Sequence, residues 1–171
     1  MNRDVRAYIG LGSNLAEPVQ QLDAALLALN CLPKSRLRAC SRFYRSAPMG
    51  PQDQPDFINA VALLETTLEP EALLDALQAI ETAQGRVRSR RWGPRTLDLD
   101  LLLHGDRVLD TPRLALPHPG LAERDFVFCP LAEIAPDLRL PDGRAVADLS
   151  AACAAGGLSA LAHEPGGGML F

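Results

Sequence analysis

Two aspartates, Asp98 and Asp100, interrupt an apolar run, Leu97-Asp98-Leu99-Asp100-Leu101-Leu102-Leu103, directly after Arg91-Trp92-Gly93-Pro94-Arg95. On a strand, residues i and i+2 point to the same face, about 6.5–7 Å apart along the chain. Two bare carboxylates placed so among leucines repel each other and lose hydration, so something cationic must offset the cost. Arginines alone would give a structural ion-pair network. A hard divalent cation is the other solution, because oxygen donors with no His or Cys nearby suit Mg²⁺. Two metal ions about 3.5–4 Å apart can be bridged by such a pair.

The chain has 16 arginines and one lysine, Lys34, and five of the arginines fall between Arg86 and Arg95. A guanidinium is a planar fork that matches phosphate or carboxylate, whereas an ammonium is closer to a point charge. A basic loop is ordinarily a solvated surface. Arg88, Arg91 and Arg95, however, precede metal-competent carboxylates, and Mg²⁺ generally completes its shell with substrate phosphates. Cations and metal together are what a triphosphate needs. Trp92 either plugs the core or braces the loop over a nucleotide. His118, held between Pro117 and Pro119, is either a structural histidine or a functional one. Phe57 and Phe126 read, on spacing alone, as core aromatics.

Other chemistries lack support. Gly10-x-Gly12 is missing the third glycine of a dinucleotide fingerprint, since position 15 is Leu15. There is no GxxxxGK[ST] loop, no CxxC pair, and no local motif for Ser–His–Asp or Cys–His catalysis.

These residues need elements to position them. Val5–Leu11 reads as a strand ending in the turn Gly12-Ser13-Asn14. Glu17–Leu29 has the apolar spacing of an amphipathic helix. Leu37–Tyr44 and Phe57–Leu64 read as strands, separated by the loop Ser46–Asp56 with its three prolines, which cannot donate to a sheet ladder. Pro70–Ala83 is a second helix, with Pro70 in its first turn and Gly85 stopping it. Leu97–Leu103 is a strand, a hairpin-like turn follows at His104-Gly105-Asp106, and Phe126–Ile134 is helical. The order β-α-β-β-α-β predicts an α+β, ferredoxin-like sandwich with an antiparallel sheet and a C-terminal helical extension. Residues 1–150 are expected to form a single domain. The Ala/Gly-rich residues 151–171 are expected to be a tail, poorly ordered at its end.

The totals suit that picture. The 171 residues allow one domain with a sizeable core, and 47% are hydrophobic against 22% charged. A net charge of −4 argues against a general nucleic-acid or membrane-surface binder. Cys31, Cys40, Cys129 and Cys153 are scattered and read as four buried thiols in a reducing compartment. The N-terminus carries no signal-like apolar stretch, and no run approaches the roughly 18 residues of a membrane span. A soluble, cytoplasmic, monomeric protein is the expectation.

Taken with their neighbours, the residues resemble a known family. Arg91-Trp92-Gly93-Pro94-Arg95-Thr96-Leu97-Asp98-Leu99-Asp100-Leu101-Leu102 looks like the signature of the 6-hydroxymethyl-7,8-dihydropterin pyrophosphokinases of folate biosynthesis. The resemblance begins at Tyr8-Ile9-Gly10-Leu11-Gly12-Ser13-Asn14-Leu15 and runs through Tyr44-Arg45-Ser46 and Gly50–Ala60. It continues past Pro117-His118 to Pro130–Pro136. It implies transfer of a pyrophosphoryl group from MgATP to the pterin hydroxymethyl oxygen, with release of AMP. It also implies the ferredoxin-like fold and two Mg²⁺ ions.

Carried over by motif, Asp98 and Asp100 are the metal ligands, and Arg88, Arg91 and Arg95 meet the phosphates. Gln78, Glu81, Trp92, Leu101, His118 and Arg124 fall at nucleotide positions. Phe57 and Phe126 would sandwich the pterin ring, while Asn59 and backbone groups around Ser46, Pro48 and Met49 would read its edge. Those roles fit a flat π-face and a mixed donor–acceptor edge. In phosphoryl-type transfer, positioning and charge neutralisation do most of the catalysis. Ser46-Ala47 stands where the family can carry Thr-Pro, and Pro119 where an aromatic can touch the ribose. The loops at 46–56 and 85–96 are candidate lids.

Two rivals remain. A two-metal nucleotidyl transferase would want a basic template groove, against the net charge of −4. A non-catalytic RNA-binding module would want an RNP-like aromatic motif, which the chain lacks.

Overall fold

The computed structural model describes residues 4–15, 17–47, 54–85, 97–151, 153 and 158–167. Strand β1 (Val5–Ser13) is followed by helix α1 (Pro18–Asn30), then by β2 (Ser35–Cys40), β3 (Tyr44–Ser46) and β4 (Phe57–Thr66). Helix α2 (Pro70–Ala83) leads to β5 (Asp98–His104) and to a small hairpin of β6 (Leu109–Asp110) and β7 (Ala115–Leu116). Helices α3 (Asp125–Ile134) and α4 (Val146–Ser150) and a last strand, β8 (Ser159–Ala160), complete the order.

The protein is mixed α/β, built on a six-stranded sheet whose pairings are all antiparallel. β1 lies between β5 and β4; β2 and β3 share the far edge of β4, and β8 pairs with β3. Alternation divides the side chains between the two faces. Ile9, Leu11, Ile58, Ala60, Ala62, Leu64, Leu99 and Leu101 meet Leu22, Leu26 and Leu29 of α1 and Leu73 and Leu77 of α2 in one core layer. Tyr8, Val61, Leu102 and Leu103 meet Val127 and Leu131 of α3 and Val146 of α4 in the other. The expected C-terminal extension is therefore the layer that covers the sheet's second face.

A register shift in the β1–β5 pair lies just past the acidic pair. Ile9 faces Leu101 but Tyr8 faces Leu103, so Leu102 is the extra residue of a bulge. That bulge puts Leu102 and Leu103 in the same layer, while Asp98 and Asp100 keep strict alternation with Leu97, Leu99 and Leu101 behind them.

Elsewhere the expectations shift for identifiable reasons. Leu37–Tyr44 is not one strand: the Ser41 hydroxyl accepts the Val61 N–H at 3.0 Å, replacing a ladder bond, and pairing resumes only when Tyr44 faces Asn59. The cysteines are not four buried thiols. α3 packs on α4, which brings Cys129 to Cys153 in a disulfide, and Cys31 is exposed. Burial pushes the Cys40 thiol up to about 12. The described part of the tail returns to the sheet: Leu161 N–H donates to Phe43 at 2.8 Å, and His163 meets Asp23 of α1 at 2.7 Å. Its last residues, 168–171, lie outside the described set.

Candidate functional site

Cross-strand register sets out the site in rows. Asp98 faces Gly12, Gly12 faces Asn59, and Asn59 faces Tyr44, a single row running over β5, β1, β4 and β3. The adjacent row sets Asp100 against Gly10 and Gly10 against Val61, and on the other side Phe57 faces Ser46. Neighbouring strands lie about 4.8 Å apart, so the Asp98 and Asn59 backbones are separated by about 10 Å, with a glycine between them. That glycine is needed. A Cβ on Gly12 would sit 2.9 Å from Asn59 Oδ1, closer than such contacts allow.

Over these rows lies an open-mouthed cleft of about 700 Å³, open solvent included, lined by Ser46, Phe57, Asn59, Asp98, Asp100, Arg124 and Phe126 among others. Its floor is the Gly10-Leu11-Gly12 stretch, its roof the first turn of α3. Both phenylalanines are half-buried, unlike the fully buried Phe43, so their faces are available to a ligand. Pro130, inside α3, has no N–H to give to the carbonyl of Phe126 four residues back, so that helical bond is absent at the residue lining the cleft. Asn59 is 5% exposed, and its Nδ2 donates to Ser46 Oγ at 2.7 Å, which fixes which way the amide points. Asn14 on the turn after β1 donates to Gln54 at 2.9 Å and to the Pro55 carbonyl at 3.0 Å, tying down the end of the proline-rich loop.

The turn between β7 and α3 places two basic groups over the carboxylates. The His118 backbone N–H donates to the Leu102 carbonyl at 2.9 Å, and its Nδ1 accepts the Gly120 N–H at 3.0 Å. Nδ1 is thus an acceptor, and the neutral ring keeps its proton on Nε2, which stands 3.9 Å from Asp100. Burial is the main force pushing the His118 pKa below its ordinary value, with the Arg124 guanidinium adding to it and Asp98 opposing. Arg124 lies against Gly120, where a Cβ would come within 2.6 Å of its Nε, so the same turn seats both groups.

Glu81 sits behind the edge strand. It is 4% exposed, and its carboxylate accepts the Leu99 N–H at 2.8 Å, the backbone donor between Asp98 and Asp100.

The expected nucleotide residues divide accordingly. His118 and Arg124 stand with the two aspartates. Gln78, Glu81 and Leu101 stand on the α2 side of β5, Leu101 being buried in that core layer and Gln78 exposed beside Arg113. Arg113, which also pairs with Asp75, had no signal of its own in the sequence. Arg88, Arg91, Trp92, Arg95, Pro48 and Met49 lie outside the described residues. Gly12 was read as the start of a turn, as part of a failed dinucleotide motif and within the opening stretch of the resemblance; it lies inside β1 instead, and its place against Asn59 depends on the strand register.

Among the described residues no group of three or more His, Cys, Asp or Glu side chains is gathered to hold a metal unaided. Two half-buried carboxylates on one face, with oxygen donors only, fit an ion such as Mg²⁺ that takes the rest of its shell from water and phosphate. An acidic pair beside a histidine and an arginine, on the lining of a cleft that also carries two aromatics and an amide, is an arrangement compatible with phosphate transfer next to a flat ring.

The comparisons give that class a family. The family model for 7,8-dihydro-6-hydroxymethylpterin-pyrophosphokinase matches residues 8–136. A Pseudomonas aeruginosa protein named 2-amino-4-hydroxy-6-hydroxymethyldihydropteridine pyrophosphokinase is 60% identical over 156 residues, covering 91% of this chain and 96% of its own. A Haemophilus influenzae protein of the same name is 55% identical, covering 85% and 91%. Among solved structures, Plasmodium falciparum HPPK-DHPS with pteroate superimposes with a TM-score of 0.72 at 13% identity. That match covers 91% of this chain and 43% of the longer one, and at that identity it speaks for the fold alone. The chain belongs to the 7,8-dihydro-6-hydroxymethylpterin-pyrophosphokinase family. It is an enzyme, a pyrophosphokinase of folate biosynthesis.

Proposed function

We propose that this chain transfers pyrophosphate from MgATP to the hydroxymethyl oxygen of 6-hydroxymethyl-7,8-dihydropterin, releasing AMP, with the cleft and the acidic pair dividing the work. The pterin lies between Phe57 and Phe126, and Asn59, held by Ser46, reads its hydrogen-bonding edge together with backbone groups near Pro48 and Met49. Asp98 and Asp100 hold Mg²⁺, two ions being expected. Held there by Asp98 and Asp100 together with ATP, Mg²⁺ would supply neutralisation of the phosphate charge. His118 offers a neutral Nε2–H and Arg124 a guanidinium toward the same phosphates. Arg88, Arg91 and Arg95 supply the remaining positive charge, and Gln78, Glu81, Trp92 and Leu101 border the nucleotide. Positioning accounts for most of the catalysis, so no strong general base is required.

The single observation that carries this reading is the row Asp98–Gly12–Asn59. It sets the Asp98 and Asn59 backbones about 10 Å apart with a glycine between, which supports a metal side and a ring side to the cleft. The strand order also supports a ferredoxin-like layout: β1 and β2 each run antiparallel to β4, hence parallel to one another across α1, as a split β-α-β unit requires. The protein works as a cytoplasmic monomer in this reading; no described helix is long and apolar enough to cross a membrane. The test is to incubate protein, MgATP and the hydroxymethyl pterin and identify the nucleotide product. AMP in step with pterin diphosphate supports the proposal; ADP, or no turnover, ends it.

A further inference from the structure

Away from the acidic pair, a second polar cluster joins the two walls of the cleft. Glu133, near the end of α3, accepts the Arg42 backbone N–H at 2.7 Å, the Arg42 Nε–H at 3.1 Å, and the Tyr44 hydroxyl. Arg42 in turn lies over the Tyr44 ring, 5.6 Å from its centroid. One carboxylate on a helix thus takes three donors from the segment that opens β3.

The positions of these residues relative to the cleft are what matter. Glu133 and Phe126 are seven residues apart on α3, two helical turns, so they share a face and stand about 10 Å apart along the axis. Tyr44 and Ser46 are two residues apart on β3, so they too share a face, about 7 Å apart. At one end the helix and strand are joined by Glu133 and Tyr44; toward the other lie Phe126 and Ser46, both lining the cleft. The backbone of β3 is already held by β4 on one side and β8 on the other, and α3 is already anchored by Val127 and Leu131. Neither element needs the cluster in order to form. The cluster's distinct contribution is the distance between them.

We propose that Glu133, acting through Tyr44 and Arg42, is a positioning residue for the pterin cleft, setting the gap between the helix that carries Phe126 and the strand that carries Ser46. Burial, and after it the hydrogen bond to Glu133, pushes the Tyr44 hydroxyl upward, so it remains a donor across the working pH range. Stacking weakens steeply when a ring is moved off its contact distance, whereas nucleotide binding over β5 lies at the other edge of the sheet. The link should therefore act on one substrate and not the other. This inference rests on reading the cleft as the pterin site.

The experiment compares Glu133→Gln, Tyr44→Phe and their double variant with the wild type for KM of pterin, KM of ATP, kcat and Tm, with Phe126→Ala alongside. Tyr44→Phe keeps the ring over Arg42 and removes only the hydroxyl, so it stays informative if Glu133→Gln folds poorly. The expected result is a pterin KM raised on the order of tenfold, with ATP KM and kcat within about twofold. In Glu133→Gln the amide NH2 must face one of the three donors, so the link is weakened from its helix end, and the double variant should fall short of the sum of the two single effects. A fall in Tm with pterin KM unchanged, or equal rises in both KM values, overturns the proposal. If Phe126→Ala weakens pterin binding while Tyr44→Phe and Glu133→Gln do not, the positioning role alone falls. If Phe126→Ala also leaves pterin affinity intact, the reading of the cleft falls with it.

Discussion

Replacing Gly12 by alanine puts the row Asp98–Gly12–Asn59 at risk with the smallest possible change. The added methyl would sit 2.9 Å from Asn59 Oδ1, while its backbone partners on either side stay paired. Gly12 has no left-handed φ, so alanine brings no backbone strain. By restricting the unfolded chain it should even add about 0.4–1 kcal/mol of stability before the contact is counted. The contact must then be relieved by Asn59, because the neighbouring strands are held by the ladder. Asn59 can turn only by giving up the 2.7 Å bond to Ser46 or by turning its edge away from a bound ring. The first loss is felt as stability; the second leaves an amide group unpaired in the complex, about 1–3 kcal/mol, which is roughly a 5- to 150-fold rise in the pterin dissociation constant. Gly10→Ala is the control two residues away. Its Cβ would meet only the Leu102 side chain at 3.5 Å, an ordinary contact. Titrating pterin into both variants, with thermal melts in parallel, decides the matter. Gly12→Ala binding pterin as tightly as Gly10→Ala, in a folded protein, would refute the placement of Asn59 as the reader of the ring.

Three other outcomes follow from the same geometry. Asp98→Asn and Asp100→Asn should each lower kcat on the order of 10²–10³-fold in AMP release, with the melting curve preserved; near wild-type turnover in both would return the pair to a structural role. His118 is depressed below its ordinary value by burial, so the unfolded chain binds the proton more readily. Stability is then full above about pH 6.5 and declines as pH falls from there toward the lower folded value. His118→Asn should flatten that part of a urea-midpoint profile, and an unchanged profile would show that the histidine is not the group responsible. For Glu81, the amide oxygen of Glu81→Gln can still accept the Leu99 N–H, while Glu81→Leu leaves that donor buried and unpaired at about 1–3 kcal/mol. Glu81→Leu should therefore lose far more stability and Mg²⁺-dependent activity than Glu81→Gln; equal losses would mean that the charge matters and not the strand contact.

How much of this was legible in the sequence depended on whether an element's neighbours are local. Helices α1 and α2 follow the apolar spacing of Leu22, Leu26 and Leu29 and of Leu73, Leu77 and Ile80 closely, because a helix buries one stripe whatever it packs against. The Asp98-Leu-Asp100 alternation was equally plain, since a period of two assigns the faces at once. What escaped was set by partners far away along the chain. The break at Ser41 needs the Val61 N–H, the disulfide needs α3 to pack on α4, and the bulge at Leu102 shows only against Tyr8. The division of the residues expected at the nucleotide is of this kind too. Glu81 and His118 look alike as isolated polar residues near β5, and only the fold puts them on opposite sides of it.

The same distinction bears on the proposed site for two unlike substrates, whose residues are set across strands and not along a loop. Loop positions shift by ångströms, whereas the spacing between hydrogen-bonded strands is fixed near 4.8 Å by the ladder itself. Placing the carboxylate on β5 and the amide on β4 makes their separation a property of the sheet, to which β1 contributes only backbone because Gly12 has no side chain to intrude. The quantity left adjustable is the height of the roof, the helix that carries Phe126. A hydrogen-bonded link from that helix to the next strand in the row, Tyr44 to Glu133, is where such an adjustment would have to be held. Lateral spacing by the sheet and vertical spacing by the link are separable, so variants of Gly12 and of Tyr44 should combine additively in pterin affinity unless both act through Asn59, which faces each of them. Measured additivity would assign the two spacings to different elements, and strong coupling would show Asn59 to be the shared hinge.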